Sequence, residues 1–284
     1  MENDSWSETV EVFKRMKSPM RPDASETRIV EDWLRERLGA AGLEQAERVE
    51  VLVFGVTVET ITLPWPENVR LTAVDRSEAM IQAFWPGDIP NRRRLVRGDW
   101  EQLPWPPASF HFVFGDGFLN AWSHPRGQLE FAQRINQLLK PGGVFFFRGF
   151  AQADPPETLD GVLEAYLSGG IKHYHEFRFR LATALQADPR EGLWVSTALL
   201  DRKLVEAGID LDELHRKTNY EPPSRPNSGA GVVREPPPLL LNYPSVSEWE
   251  SVLSQSFRIL GRRHGLHALG ARCPIFALEK RPVA

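Results

Sequence analysis

The sequence predicts an α/β protein built around a doubly wound, Rossmann-like sheet. Five short, mainly apolar runs lie at residues 51–54, 71–74, 94–96, 110–114 and 144–147, as expected of parallel strands buried on both faces. Helical patterns separate several of these runs and would supply the crossover connections. Two further apolar runs, at 257–260 and 275–278, could pair antiparallel at the sheet edge. We therefore expect seven strands, the last of them antiparallel.

Helical periodicity flanks this predicted sheet on both sides. Two amphipathic stripes in the first forty residues predict N-terminal helices; they consist of Trp6, Val10, Phe13 and Met16, then Ile29, Trp33, Leu34 and Leu38. Beyond residue 150 three further helices are expected, the third from roughly Leu193 to Val205, before a Pro- and Gly-rich stretch at 219–247. We expect an N-terminal helical lid (1–47) and a core made of two segments (48–150 and 248–284). A helical cap (151–247) is expected to be inserted between the two core segments.

Composition excludes several classes of function. Cys273 is the only cysteine, so an intramolecular disulfide or a cysteine-based metal cluster cannot form. The net charge of −4 argues against nucleic acid as the main partner, because binding phosphates needs a concentrated basic surface. No apolar run approaches the length of a membrane helix, and the acidic N-terminus does not resemble an export signal. These observations predict a cytoplasmic protein that does not bind membranes.

Polar residues follow the predicted strands at the points where ligands bind in doubly wound sheets. Gly55 follows the first run, and Asp75, Asp99 and Asp116 follow the second, third and fourth. Asp75 could accept hydrogen bonds from both ribose hydroxyls of an adenosine, and Asp99 could accept from an adenine amine beside the ring of Trp100. Each aspartate could instead cap a turn or helix, since Asp is common there.

Four stretches in order resemble the class I S-adenosylmethionine (SAM)-dependent methyltransferases, especially those that methylate small molecules. They are residues 51–55, 71–80, 98–104 and 138–144, the last with Lys140-Pro141-Gly142-Gly143 before the fifth strand. The resemblance covers roughly residues 48–150, with weaker support from 255–282. It implies SAM as cofactor and methyl transfer to a small-molecule acceptor.

The resemblance also implies roles for individual residues. Asp75 would bind the ribose hydroxyls and Asp99 the adenine amine, while Met80 would pack against the adenine. Asp116 and Gly117 would face the methionine moiety or the acceptor. The complete set of expected cofactor contacts is Gly55, Val56, Thr57, Asp75, Arg76, Met80, Asp99, Trp100, Asp116 and Gly117.

The loop after the first strand departs from the family's pattern of three glycines. This chain has Gly55-Val56-Thr57-Val58-Glu59, and a β-branched residue does not easily take positive φ. Either the loop follows a different path, or the pocket binds SAM weakly or not at all. Thr57 could cap the next helix, and Glu59 could pair with the cofactor's ammonium.

For the acceptor side, the sequence names Trp122 and His175 as candidate substrate contacts and no catalytic residue or metal ligand. His173 and His175 point to different faces of a helix, which disfavours a metal site. His264 and His267 fall in a predicted hairpin and are expected at the surface. One rival function is a catalytically inactive SAM fold that binds a ligand or partner. A nicotinamide-dependent oxidoreductase is disfavoured because the glycine-rich dinucleotide fingerprint is absent.

Overall fold

The computed structural model describes residues 10–186, 190, 192–222 and 239–281. The strands are β1 (Val49–Phe54), β2 (Val69–Asp75), β3 (Arg93–Arg97), β4 (Phe110–Asp116), β5 (Leu139–Arg148), β6 (Leu193–Val195), β7 (Leu239–Leu241), β8 (Phe257–Arg263) and β9 (Ile275–Lys280). The α-helices are α1 (Val10–Arg15), α2 (Ala24–Ala40), α3 (Val58–Ile61), α4 (Glu78–Phe84), α5 (Arg126–Leu138), α6 (Leu159–Leu167), α7 (Tyr174–Leu185), α8 (Thr197–Glu206), α9 (Leu211–Lys217) and α10 (Val246–Leu253).

Seven strands form one sheet in the order β3-β2-β1-β4-β5-β9-β8. The first five are parallel to one another, and β9 runs antiparallel to both of its neighbours, β5 and β8. This arrangement confirms the predicted doubly wound sheet with an antiparallel last strand. The strand order reverses between β1 and β4, where this fold class binds its ligands.

Helices cover both faces of the sheet, which explains why the central strands are apolar on both sides. One face carries α5 and α10, whose Phe131 and Trp249 pack with Phe54 and Phe147 of the strands. The other face carries α2, whose Trp33 packs beside Phe146 of β5 and Val53 of β1. Burial of these large side chains on two faces is the main source of stability.

A third apolar cluster holds the segment between β5 and α10 together. Val162 of α6, Phe177 and Leu181 of α7 and Leu204 of α8 are all fully or almost fully buried in it. The four helices α6–α9 agree with the expectation of a helical cap, and the proposed domain boundaries stay a prediction.

One helix predicted in the cap is partly wrong. Residues 193–195 form strand β6, which pairs antiparallel with β7, and α8 begins only at Thr197. The partner strand lies across the Pro- and Gly-rich stretch, so local periodicity could not reveal the pairing. Residues 223–238 of that stretch lie outside the described residues.

The N-terminal helices α1 and α2 follow the predicted stripes, although Trp6 lies outside the described residues. Helix α2 begins at a capping box, in which Asp23 accepts hydrogen bonds from the Glu26 backbone and the Glu26 carboxylate accepts from the Asp23 backbone. Within the described part of the chain, no helix combines the length and apolarity needed to span a bilayer.

Candidate functional site

The predicted carboxylates lie at one edge of the sheet, because the parallel strands that carry them end there. Asp75 ends β2 and pairs in register with Arg97 of β3, so Asp99 lies two residues beyond it on the adjacent strand end. Phe54 of β1 pairs with Gly115 of β4, which places Gly55 beside Asp116. The structure therefore brings all four strand-end residues to one edge of the sheet, with Gly55 and Asp116 at the topological switch point.

Asp75 and Asp99 also stabilise their own turns. Asp75 is buried, and its Oδ1 accepts a hydrogen bond from the Ser77 backbone over 2.9 Å. Asp99 Oδ1 accepts from the Glu101 backbone over 2.9 Å, while its Oδ2 lies 3.3 Å from Arg76 Nη1. The turn-capping interpretation is thus correct for both aspartates, and their contacts with a cofactor stay a prediction.

Trp100 packs directly against the first loop. Its indole Nε1 donates to the Val74 carbonyl over 2.9 Å, and its ring meets Phe54 and Phe118 edge-on. Gly55 has a φ of +81°, and a methyl group at its Cα would point between Trp100 and the Asp75 carboxylate, 3.8 and 3.9 Å away. Only a residue without a side chain leaves this space open.

The loop after Gly55 takes a path that suits its β-branched residues. Thr57 has a φ of −65° and precedes the single-turn helix α3, but its side chain makes no capping hydrogen bond. Val56 is buried against the face of the sheet that carries α2. The first glycine of the family's pattern thus meets a real conformational requirement, whereas the positions of the other two do not require positive φ here.

Two other predicted cofactor contacts lie close by. Met80 is 7 % exposed and lies in the apolar layer under α4, with its backbone N–H capped by the Ser77 hydroxyl. Gly117 has a φ of +64° and donates its N–H to the Arg148 carbonyl over 2.8 Å. This bond joins the ends of β4 and β5.

A buried ion cluster, which consists of Glu26, Asp116 and Arg148, lies at the ends of β4 and β5. Arg148 Nε donates to Asp116 Oδ1 over 2.7 Å, and its Nη1 lies 3.3 Å from Glu26 Oε1. The side chains of Arg148 and Glu26 are 5 % and 1 % exposed. Burial alone would lower the pKa of Arg148, but the two carboxylates raise it above its usual range, so the guanidinium stays charged.

The ion cluster borders a small cavity, named here the α2 cavity, between α2 and the sheet. Glu26, Glu59, Asp116 and Arg148 supply its charged lining, and Phe114 and Phe146 form part of its apolar lining. Its volume is about 30 Å³, and it is partly open to solvent, so a small ligand can extend from it into the surrounding cleft. Glu59 Oε1 is paired with Arg21 Nη2 over 2.8 Å.

The two predicted substrate contacts do not line this cavity. Trp122 follows the short 3-10 helix after β4 and packs against Phe131, with ring centroids 4.5 Å apart. His175 is buried in the cap and lies edge-on to the rings of Tyr174 and Tyr220, which stack on each other. Burial, together with the nearby charges of Lys17 and Arg178, lowers the pKa of His175 to about 4.

The surface position expected for His267 is wrong. Its side chain is 13 % exposed and its Nε2 lies 3.3 Å from Glu26 Oε1, because the connection between β8 and β9 folds against α2. His264 is exposed, as expected.

One family model matches the part of the chain that carries this site. Residues 52–147, which include the ends of β1 to β4, match the family model described as a methyltransferase domain. Residues 52–147 are therefore a methyltransferase domain, in agreement with the resemblance to the class I SAM-dependent methyltransferases. No curated protein sequence matches the chain.

Solved structures similar to this methyltransferase share its fold at low sequence identity. A Rhodobacter sphaeroides protein described as a Zn-dependent alcohol dehydrogenase is 13 % identical, with 99 % of this chain and 100 % of that chain covered and a TM-score of 0.53. The CurJ carbon methyltransferase is 11 % identical, with 96 % and 58 % covered and a TM-score of 0.50. The N-methyltransferase NodS from Bradyrhizobium japonicum, solved with S-adenosylhomocysteine, is 11 % identical, with 99 % and 100 % covered and a TM-score of 0.49.

The residues at the strand ends fit the cofactor of this family. Two carboxylates end adjacent strands, and a glycine with positive φ leaves open the space between Asp75 and the Trp100 ring. Carboxylate oxygens are suited to accept from ribose hydroxyls and an adenine amine, and an aromatic wall is suited to a nucleobase. The cofactor is SAM.

Sequence reasoning missed Arg148, Glu26 and Arg21. Arg148 directly follows four apolar residues at the end of β5, and a charge in that position was a usable signal. Glu26 was readable as the third residue of a capping box, but its burial against β5 was not. Arg21 lies between two prolines, and no local pattern connects it with Glu59.

Proposed function

We propose that the methyltransferase acts on a small-molecule acceptor held in the α2 cavity, beside the cofactor. One observation carries this proposal: two charged groups of the cavity are buried beneath α2, with the side chain of Glu26 1 % exposed and that of Arg148 5 % exposed. A protein side chain or a nucleic acid would have to displace α2 to reach them. A small molecule needs only a local opening.

The residues at the strand ends would hold the cofactor. Asp75 would accept from the ribose hydroxyls, Asp99 from the adenine amine, and Trp100 would flank the base. Gly55 would admit the cofactor close to the backbone, as positive φ and the lack of Cβ allow. Val56, Thr57, Arg76, Met80, Asp116 and Gly117 complete the proposed contacts.

When bound, SAM supplies a methyl group on a sulfonium, whose carbon–sulfur bond breaks with its electron pair left on sulfur. The acceptor's lone pair forms the new bond, so the protein needs mainly to align the acceptor and exclude water. Helix α2 and the ion cluster would exclude water from the cavity. Where the acceptor releases a proton, the Glu59 carboxylate, which lines the cavity, would take it.

Calorimetry with S-adenosylhomocysteine (SAH) tests cofactor binding and separates this function from the inactive rival. We expect a dissociation constant well below about 1 mM, with Asp75→Asn and Asp99→Asn each weakening it about tenfold or more through a lost charge-assisted bond. The matched control is Asp32→Asn on the surface of α2, where the aspartate pairs only with Arg35. No SAH binding at millimolar concentration would favour the inactive fold.

A second experiment tests the class of acceptor. The protein is incubated with SAM labelled in its methyl group and a cell extract, which is then separated into protein, nucleic acid and low-mass fractions. We expect protein-dependent label in the low-mass fraction. Label confined to the protein or nucleic-acid fraction would contradict a small-molecule acceptor.

A further inference from the structure

Three carboxylates and two guanidinium groups meet around the α2 cavity. Arg148 lies between Asp116 and Glu26, so two carboxylates already compensate its charge. Glu59 is compensated by Arg21 at 2.8 Å. With these groups ionised, the site carries one more negative than positive charge, which favours a cationic or uncharged ligand over an anion.

Two buried polar atoms without a hydrogen-bond partner belong to residues of this site. Six buried side-chain polar atoms have no hydrogen-bond partner within the described ranges, and two of them are Arg148 Nη2 and Glu59 Oε2. Arg148 and Glu59 both line the cavity. Because an unsatisfied buried polar atom is costly, such a pair in one cavity indicates a ligand or water that supplies the missing contacts.

Glu59 Oε2 and Arg148 Nη2 need different groups from a ligand. Glu59 Oε2 accepts, so the ligand must present an N–H or O–H to it. Arg148 Nη2 donates, so the ligand must present an oxygen or another lone pair. A carboxylate on the ligand would satisfy Arg148 but would also approach Asp116 and Glu26, whose charges repel it.

We propose that the α2 cavity binds the methyl acceptor as a small amine or amino alcohol. Its N–H donates to Glu59 Oε2 and its oxygen accepts from Arg148 Nη2. This acceptor class rests on the proposed function, and the site is distinct from the cofactor contacts at the ends of β2 and β3. The Glu59 carboxylate then serves the acceptor and not the ammonium of the cofactor.

Ligand-observed NMR with three probes of similar size tests the charge and polarity of the site. The probes are ethanolamine, ethylene glycol and glycolate, each measured at the same concentration with the full-length protein saturated by SAH. We expect ethanolamine to bind about tenfold more tightly than glycolate, as one charge-assisted bond provides, with ethylene glycol between them. Equal or preferred binding of glycolate, or no binding of ethanolamine, overturns the proposal.

Two variants test whether Glu59 binds ethanolamine. Glu59→Gln keeps the size of the side chain and removes its charge, and we expect it to abolish the preference for ethanolamine. Glu250→Gln is the control, because Glu250 also pairs with an arginine at 2.8 Å but lies on the surface of α10. An ethanolamine preference that survives Glu59→Gln overturns the assignment.

Competition with the cofactor separates this proposal from the function on which it rests. We expect ethanolamine to stay bound when SAH is added, because the acceptor and cofactor must occupy the protein together. Displacement of ethanolamine by SAH would assign Glu59 to the cofactor's ammonium and overturn the acceptor site, while the SAH binding itself would still support the methyltransferase function.

Discussion

Arg148 Nε donates to Asp116 Oδ1 over 2.7 Å, and this bond joins the carboxyl ends of β5 and β4 beneath α2. The guanidinium contacts Glu26 of that helix as well, and its Nη1 donates to the Pro19 carbonyl over 2.9 Å. One side chain therefore connects two central strands with the N-terminal segment. The ion cluster determines how closely α2 approaches the sheet and hence the shape of the α2 cavity.

Neutralising Asp116 should destabilise the protein. Asp116→Asn keeps the shape of the side chain but leaves the buried Arg148 charge compensated by Glu26 alone. We expect the free energy of unfolding to fall by about 3 kcal/mol, the usual effect of removing one partner of a buried pair. Urea denaturation at pH 7 measures the change.

The control for this change is an exposed ion pair. Glu250→Gln removes a carboxylate that pairs with Arg262 on the surface, where both side chains are more than two-fifths exposed. Such pairs contribute about 0–1 kcal/mol. Equal losses in the two variants would show that burial adds nothing to the Arg148–Asp116 interaction.

Gly55→Ala should weaken both folding and cofactor binding. The φ of +81° makes alanine unfavourable by about 1–2 kcal/mol, and the new methyl group would enter the space between Trp100 and Asp75. We expect a weaker affinity for SAH in calorimetry in addition to a lower melting temperature.

Gly142→Ala separates these two effects. Gly142 has a φ of +73°, and a methyl group there would meet no atom within 4 Å. The Gly142→Ala variant should therefore lose as much unfolding free energy as Gly55→Ala, but its affinity for SAH should be unchanged. If SAH binding is unaffected in both variants, the cofactor does not approach Gly55.

The fold was predictable because its signals are local. Continuous apolar runs indicated the buried strands, and helical patterns between and beyond these runs indicated the helices that cover the sheet. The ion cluster was not predictable in the same way, since Arg148 and Glu26 are 122 residues apart in the chain and meet only after the sheet has formed. The pairing of β6 with β7 was not predictable either, because the two strands are far apart in the chain. The shared edge of the strand-end residues was predictable because parallel strands bring their ends together whatever the loops contain, and the contacts of these residues with a cofactor stay a prediction.

His175 should make stability depend on pH. Its pKa is lowered by burial to about 4, below the ordinary 6.5, so the folded state binds its proton less readily than the unfolded chain does. The contribution to stability is present above pH 6.5 and is lost as the pH falls towards 4. Between pH 7 and pH 5 we expect His175 to account for a loss of about 1–2 kcal/mol.

The variant His175→Phe tests this assignment, because phenylalanine keeps a ring against Tyr174 and Tyr220 but cannot be protonated. Its unfolding free energy should fall less between pH 7 and pH 5 than that of the natural protein. His173→Phe makes the same exchange at an exposed position two residues earlier and should leave the pH dependence unchanged. An identical pH dependence in all three proteins would contradict a buried, neutral His175.

Asn120 should be among the most sensitive polar residues outside the ion cluster. Its Nδ2 donates to the carbonyls of Phe150 and Asn242 over 2.8 and 2.6 Å, and its Oδ1 accepts from the Phe150 backbone over 3.0 Å. These bonds fasten the segment after β4 to the chain beyond β5 and to the residues that lead into α10. Asn120→Ala would leave buried backbone groups unsatisfied, at a cost of about 3 kcal/mol.

Asn136→Ala provides the matched comparison. Asn136 is also buried, but its one short hydrogen bond joins Nδ2 to the Ser256 carbonyl over 2.7 Å. Its loss should lower the free energy of unfolding by about 1 kcal/mol, so the two asparagines should differ about threefold in urea denaturation. If Asn120→Ala costs no more than Asn136→Ala, the bonds of Asn120 do not hold these segments together, and the hydrogen bond from Trp249 Nε1 to the Phe150 carbonyl, with the apolar packing around it, holds them instead.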